Sequence, residues 1–182
     1  LNPPVLSLLA DPVVVSAFGS AVGILLCVGA LMKLRDVELF GHVVGNYGLL
    51  TERQARVFAR AFPAAELVSG LGLILAPTLR ASLLLSLAVL AVASGGVLVN
   101  LLRGRTSFDC GCGLGTQKIS GGLLLRNLVL AAAIVIGTRD PLVRALGALD
   151  YLSCLGMLLG LLGLYVCANQ LLSNQQALEA IR

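Results

Sequence analysis

Two cysteines flank a single glycine in the run Phe108-Asp109-Cys110-Gly111-Cys112-Gly113-Leu114-Gly115. Their sulfurs reach bonding distance only if the backbone bends, because a disulfide wants Cα atoms about 4.4–6.8 Å apart. Gly111 permits that bend, and Gly113 and Gly115 loosen the exit. The small ring would be strained, and strained, exposed disulfides are the oxidising, exchangeable ones. Arg103, Arg105 and Lys118 flank the pair and favour the thiolate, which is the attacking species; Asp109 opposes it or accepts a proton. The same two thiolates also suit a soft ion such as Cu(I) or Hg(II). A structural zinc site needs four ligands, and the chain has one histidine, His42, in a connector where an interface role is the ordinary one. A hinge without chemistry is the third reading, and two exposed thiols weigh against it. Neither a nucleophile–base pair nor a phosphate-binding glycine loop is visible, so hydrolase and kinase chemistry have no support.

The elements that must position these cysteines are membrane helices. Of 182 residues, 58% are hydrophobic and 12% charged, against about 25% charged in soluble domains. The net charge of +4 comes from 13 Lys and Arg against 9 Asp and Glu. The cations fall in short connectors, where they meet lipid phosphates. No basic stripe interleaves with aromatics, so nucleic acid is excluded as a partner. Five cysteines, an odd number, argue against a fully paired framework. The first apolar run has no positive n-region or cleavage site and reads as a mature span.

A span takes about 20 apolar residues. Five runs qualify, at 13–32, 57–76, 81–102, 120–138 and 151–172. The fold class expected is all-α, a single polytopic bundle with a four-helix core plus a fifth transmembrane helix. Residues 33–56 form an interfacial connector with a short amphipathic helix. Thr51-Glu52-Arg53-Gln54 has capping-box form and opens the second span, with a kink at Pro63 and a stop at Pro77. Gly156 and Gly160 form a small-xxx-small pair, expected to pack inside the bundle rather than on a dimer face.

Let side A be the face holding Leu1. Five spans put the 33–56 connector, the Cys110–Cys112 loop and the C-terminal tail on side B. Cys27 and Cys167 each lie five residues before the side-B end of their span, about 7–8 Å deep. Cys154 lies near side A. Two ionisable groups share the side-B layer, Glu66 and Arg126. Such groups are costly in a span and point to function with a partner, so a Glu66–Arg126 pair is expected. Lys33 is expected to anchor its helix end at the headgroups.

The order "KLRD…F" (Lys33 to Phe40), "NYGLL" (Asn46 to Leu50), "FPAAEL" (Phe62 to Leu67), "RGRTSFDCGCGLG" and "LLLRN" (Leu123 to Asn127) resembles the MauE family of DoxX-like, redox-associated membrane proteins over about residues 13–140. Gly113 stands where that family often has Phe. The resemblance implies a role in maturing a disulfide-rich dehydrogenase subunit beside a thioredoxin-like partner, with Cys110 and Cys112 as the exchanging thiols.

The expected function is therefore a thiol–disulfide relay in a bacterial-type inner membrane, with a thioredoxin-like protein and the lipid bilayer as partners. The site residues are Cys110, Cys112, Cys27, Cys167, Glu66, Arg126 and Asp109. Cys27 and Cys167 form a second, intramembrane pair that passes electrons on, as far as a quinone, for which no residue is specific. The four-cysteine logic is similar to that of DsbB and vitamin K epoxide reductase, whose CxxC is absent here. The alternatives are a soft-metal carrier using the same cysteines and a non-catalytic scaffold for a redox enzyme. Orientation pulls two ways. Lys33, Arg35, Arg53, Arg56, Arg60, Arg103, Arg105, Lys118, Arg126 and Arg182 against Arg80, Arg139 and Arg144 make side B cytoplasmic, whereas disulfide chemistry on exported proteins wants the cysteines outside.

Overall fold

The computed structural model describes residues 8–105, 110–111 and 118–179, with side chains up to residue 175. Six helices order the described chain: α1 Pro12–Arg35, α2 Val37–Asn46, α3 Glu52–Leu75, α4 Arg80–Leu102, α5 Gly121–Gly137 and α6 Ala148–Glu179. Four of them, α1, α3, α4 and α6, are long and apolar enough to cross a membrane. α5 is apolar but has 17 residues, about 25 Å at the helical rise. The protein is an all-α, multi-pass membrane protein.

Local signals explain the helix ends. Asp11 caps α1 by accepting from Val13 N, with Pro12 at the first helical position. Thr51 and Gln54 form the capping box of α3. α3 continues through the fully buried Pro63 to Leu75. α2 is the amphipathic connector helix, and it buries Phe40 and Val44 against Ala55 and Ala59 of α3.

Residue contacts set the path. A Cβ built on Gly23 of α1 would lie 2.8 Å from Gly70 O of α3, and one on Gly70 2.7 Å from Gly23 O. Gly19 of α1 meets Gly137 at the end of α5, and Gly72 of α3 meets Ser82 of α4. Asn127 of α5 bonds Ser94 of α4, and Gly122 of α5 faces Leu172 of α6. Each long helix thus runs antiparallel to the next, up-down-up-down-up, and α5 traverses the bundle despite its length. With no hydrophobic drive between helices in lipid, such glycine crossings let backbones gain dispersion contacts. The shared core gathers Val22, Leu26, Leu73, Leu90 and Ile134 from α1, α3, α4 and α5.

α6 is peripheral. Among its described side chains, Asn169 is the one buried residue. Gly156, Gly160 and Gly163 have nothing within 4 Å of a built Cβ. This corrects the expectation that Gly156 and Gly160 pack inside the bundle: α6 reaches inward through residues such as Tyr165, Asn169 and Leu172, on a different stripe.

On side A, an ion-pair clamp ties three segments together. Arg144 bonds Asp11 at 3.1 Å and Asp150 at 2.8 Å, and Leu142 N donates to Ala10 O. The Arg144 guanidinium and the Val13 amide hold the Asp11 carboxyl below its ordinary value.

Candidate functional site

The side-B half of the bundle holds a buried polar layer. Lys33 Nζ of α1 donates to both carboxylate oxygens of Glu66 on α3, at 2.9 and 2.6 Å. Both residues are buried, 8% and 7% exposed. Gly29, one turn before Lys33, leaves the room: its built Cβ would lie 3.2 Å from Glu66 Oε1. The ammonium also lies 5.9 and 5.7 Å from the ring centroids of Phe40 and Phe62. Phe62 stacks on Phe58 at 4.9 Å.

Two expectations are corrected here. Lys33 is not a headgroup anchor; it turns inward because the close α1–α3 crossing brings Glu66 within reach. Glu66 does not pair with Arg126, because Lys33 already occupies both of its oxygens. Arg126 instead donates to Asn169 Oδ1 at 3.0 Å and Asn127 Oδ1 at 3.3 Å, with Tyr165 5.9 Å from its guanidinium. Asn127 Nδ2 in turn donates to Ser94 at 3.0 Å. These bonds give the terminal guanidinium nitrogens polar partners inside the bundle, where a bare charge would be costly.

Cys110 sits over this layer. It is 6% exposed and packs with Val97, Ile119 and Leu123, so the expectation of an exposed sulfur does not hold at this position. Tyr47 Oη donates to the Cys110 carbonyl at 2.8 Å. Gly111 then turns with φ +68°, and its built Cβ would lie 2.8 Å from Val43 Cγ1. A side chain is excluded there twice, by the left-handed backbone and by α2. Cys112 and Asp109 lie outside the described residues.

Lys33, Glu66, Arg126, Asn127 and Cys110 all line one cavity of about 300 Å³. Its remaining wall is apolar and aromatic. Three of the chain's five phenylalanines (Phe40, Phe58, Phe62) and two of its three tyrosines (Tyr47, Tyr165) line it. Of the residues singled out in the sequence, the cavity thus brings together Glu66, Arg126 and Cys110. Cys27 is placed elsewhere, at the α1–α3 crossing. Its thiol points to Leu67 O at 4.0 Å, and a Cβ on Gly70 would lie 2.7 Å from its sulfur. Cys167 is exposed on α6, and Cys154 is partly buried on the same helix. Among the described residues, no three His, Cys, Asp or Glu side chains gather as metal ligands.

Sequence reasoning missed the aromatic wall, Tyr47 and Asn169. Phe58 and Phe62 are one helical turn apart, a spacing that could have been read as a face. Nothing local ties Phe40 or Tyr165 to them.

The sequence profile of the family described as Methylamine utilisation protein MauE matches residues 11–140. The "Methylamine utilization protein MauE" of Paracoccus denitrificans is 39% identical over 137 residues, 73% of each chain. That of Paracoccus versutus is 36% identical over 169 residues, 90% of this chain and 89% of the relative. That of Methylorubrum extorquens is 36% identical over 150 residues, 80% of each chain. No solved structure matches. The profile covers the span from the Asp11 cap of α1 through the end of α5, a stretch that contains Lys33, Glu66, Arg126 and Cys110, and the chain belongs to the MauE family.

Proposed function

We propose that the protein is a membrane thiol–disulfide relay of a methylamine-utilisation system, exchanging through Cys110 and Cys112 with a thioredoxin-like partner. The observation that carries the reading is the placement of Cys110. A redox-competent residue type, one position from a second cysteine, is held by Tyr47 and the Gly111 turn in the wall of a cavity that also contains two cations. Arg126, bonded to the neutral Asn127 and Asn169, favours a thiolate in that wall, while the charge of Lys33 is offset by Glu66; thiolate is the species that attacks a disulfide and the one that leaves.

In the exchange, the partner's dithiol attacks the Cys110–Cys112 disulfide. A mixed disulfide forms, and the partner's second thiolate resolves it. The partner leaves oxidised, and Cys110 and Cys112 leave as a dithiol. A buried Cys110 is a poor target for a protein, so Cys112 forms the intermolecular bond and Cys110 is the leaving thiolate. Cys27 and Cys167 line no part of the cavity, and this exchange gives them no step.

Trapping tests it. With Cys110→Ser, the remaining Cys112 thiol should capture the partner as a disulfide-linked adduct that reducing agent releases. Cys112→Ser should capture none. Equal trapping by both variants, or by neither in cells that contain the partner, would sink the reading.

A further inference from the structure

An oxidising relay must itself be reoxidised, and the cavity indicates by what. Resting on the exchange reading above, we infer that the cavity beneath Cys110 binds the ring of a lipid-soluble quinone, which accepts the two electrons of the Cys110/Cys112 dithiol.

Four observations converge on this ligand class. The cavity, about 300 Å³, is of the size that small-molecule sites begin at, roughly 300 Å³ upward. Its wall draws in five of the chain's eight Phe and Tyr residues, and the stacked Phe58 and Phe62 rings suit an offset planar π-system. The polar groups in that wall are few, and two are cations on different helices, Lys33 on α1 and Arg126 on α5. An ammonium can donate to a carbonyl oxygen, and both cations stabilise negative charge as it develops on a reduced ring. The cavity is walled by the long helices and by the connector around α2, and its mostly apolar lining suits a ligand that partitions into lipid. A fatty acyl chain would fit the apolar wall but would leave the Lys33–Glu66 pair and the aromatic concentration without a role.

The step balances. Two thiols lose two electrons and two protons and join as a disulfide. The quinone's two carbonyl oxygens take those electrons and protons and become the hydroxyls of the quinol. Lys33 lies in the same wall, and its ammonium, which has three N–H groups, can donate to one carbonyl beside Glu66.

The experiment uses the full-length protein in lipid nanodiscs with an azido-benzoquinone photolabel, mapped by peptide mass spectrometry and competed with decyl-benzoquinone. Binding is measured in a Cys110→Ser/Cys112→Ser protein, where no turnover can occur. Labelling should fall on peptides of α1, α3 or α4, and the competitor should remove it. Lys33→Met should weaken competition about tenfold, the size of one lost charge-assisted hydrogen bond. Because Lys33→Met also unbalances Glu66, a second variant is needed. Ala93→Phe fills the cavity from α4 and should abolish specific labelling with helical content unchanged by circular dichroism. Label that is not competed, or that persists undiminished in Ala93→Phe, overturns the inference. In the wild-type protein, quinol should appear in equal amount to new disulfide. Partner trapping without quinone binding would overturn this inference and leave the exchange reading standing. Competed quinone binding without partner trapping would overturn the exchange reading and with it the electron transfer.

Discussion

Lys33 Nζ and Glu66 Oε2 lie 2.6 Å apart, buried between α1 and α3 at the level of the aromatic cluster. The pair joins two helices that cross closely at Gly23 and Gly70, and it forms one wall of the cavity under Cys110. Removing one partner of a buried ion pair costs about 3–5 kcal/mol, whereas replacing both with apolar residues is often neutral. Glu66→Leu and Lys33→Met should therefore each lower stability in detergent by about 3 kcal/mol, and the double variant should recover most of that. Additive losses in chemical-denaturation curves would show that the pair is not coupled.

The glycine crossings separate structural from neutral positions. Gly70→Ala would put its Cβ 2.7 Å from Gly23 O and from Cys27 Sγ, with backbone on one side. Overpacking of this kind costs about 1–3 kcal/mol. Gly156→Ala and Gly160→Ala meet nothing within 4 Å, and they should stabilise α6 by up to about 1 kcal/mol through helix propensity. Thermal unfolding of the three variants, compared in one detergent, checks the contrast.

Gly111→Ala places a side chain on a left-handed backbone and against Val43. The cost, about 1–2 kcal/mol for the backbone alone, is met most easily by moving Cys110 out of its packing with Val97 and Leu123. Cys110 should then react faster with a thiol-specific alkylating reagent in a variant whose other cysteines are serine. An unchanged alkylation rate would mean the turn does not hold Cys110 in place.

The side-A clamp gives a pH signature. Asp11 is held below its ordinary value of 3.8 by Arg144 and the Val13 amide. Its contribution to stability is full above that ordinary value and disappears as pH falls through the lower folded value. Arg144→Met should remove part of the acid-induced loss of thermal stability below pH 3.8 and leave neutral-pH helix content unchanged. An identical acid limb in the variant would show that the clamp is not energetically used.

Orientation is the point at which connector charge and chemistry disagree. The structure takes Lys33 and Arg126 out of the connector count, since both are bonded inside the bundle. The remaining side-B cations still outnumber those of side A, which by itself would place side B in the cytoplasm. Oxidative exchange requires an oxidising compartment, so the proposed function places side B outside. Arg53→Cys, in a chain with its native cysteines replaced, should be labelled by a membrane-impermeant maleimide in intact cells. Labelling that appears only after the membrane is breached reverses the orientation and removes the oxidative direction.

Much of this architecture was legible because membrane spans announce themselves. Uncharged runs marked α1 and α4, the Thr51–Gln54 box marked the start of α3, and an ionisable group inside a span marked Glu66 and Arg126. Partnership was not legible. Lys33 sits two residues from a helix end, where a long cation ordinarily snorkels. What turns it inward is the Gly23–Gly70 crossing, a property of two helices together. The same holds for the cavity: Phe40, Phe62, Arg126 and Tyr165 come from four elements, and no spacing along the chain relates them. Gly156 and Gly160 mislead for the converse reason, since small residues at helical spacing signal close packing only where another helix is present.

The central claim is that Cys110 and Cys112 cycle together between disulfide and dithiol. The direct measurement is acid quenching of membranes followed by alkylation with a mass-tagged maleimide and mass spectrometry of the peptide carrying both residues. Without reductant the pair should be untagged and linked; after addition of a reduced thioredoxin-like partner it should carry two tags; and quinone should return it to the linked form. Two tags under all three conditions would contradict the account.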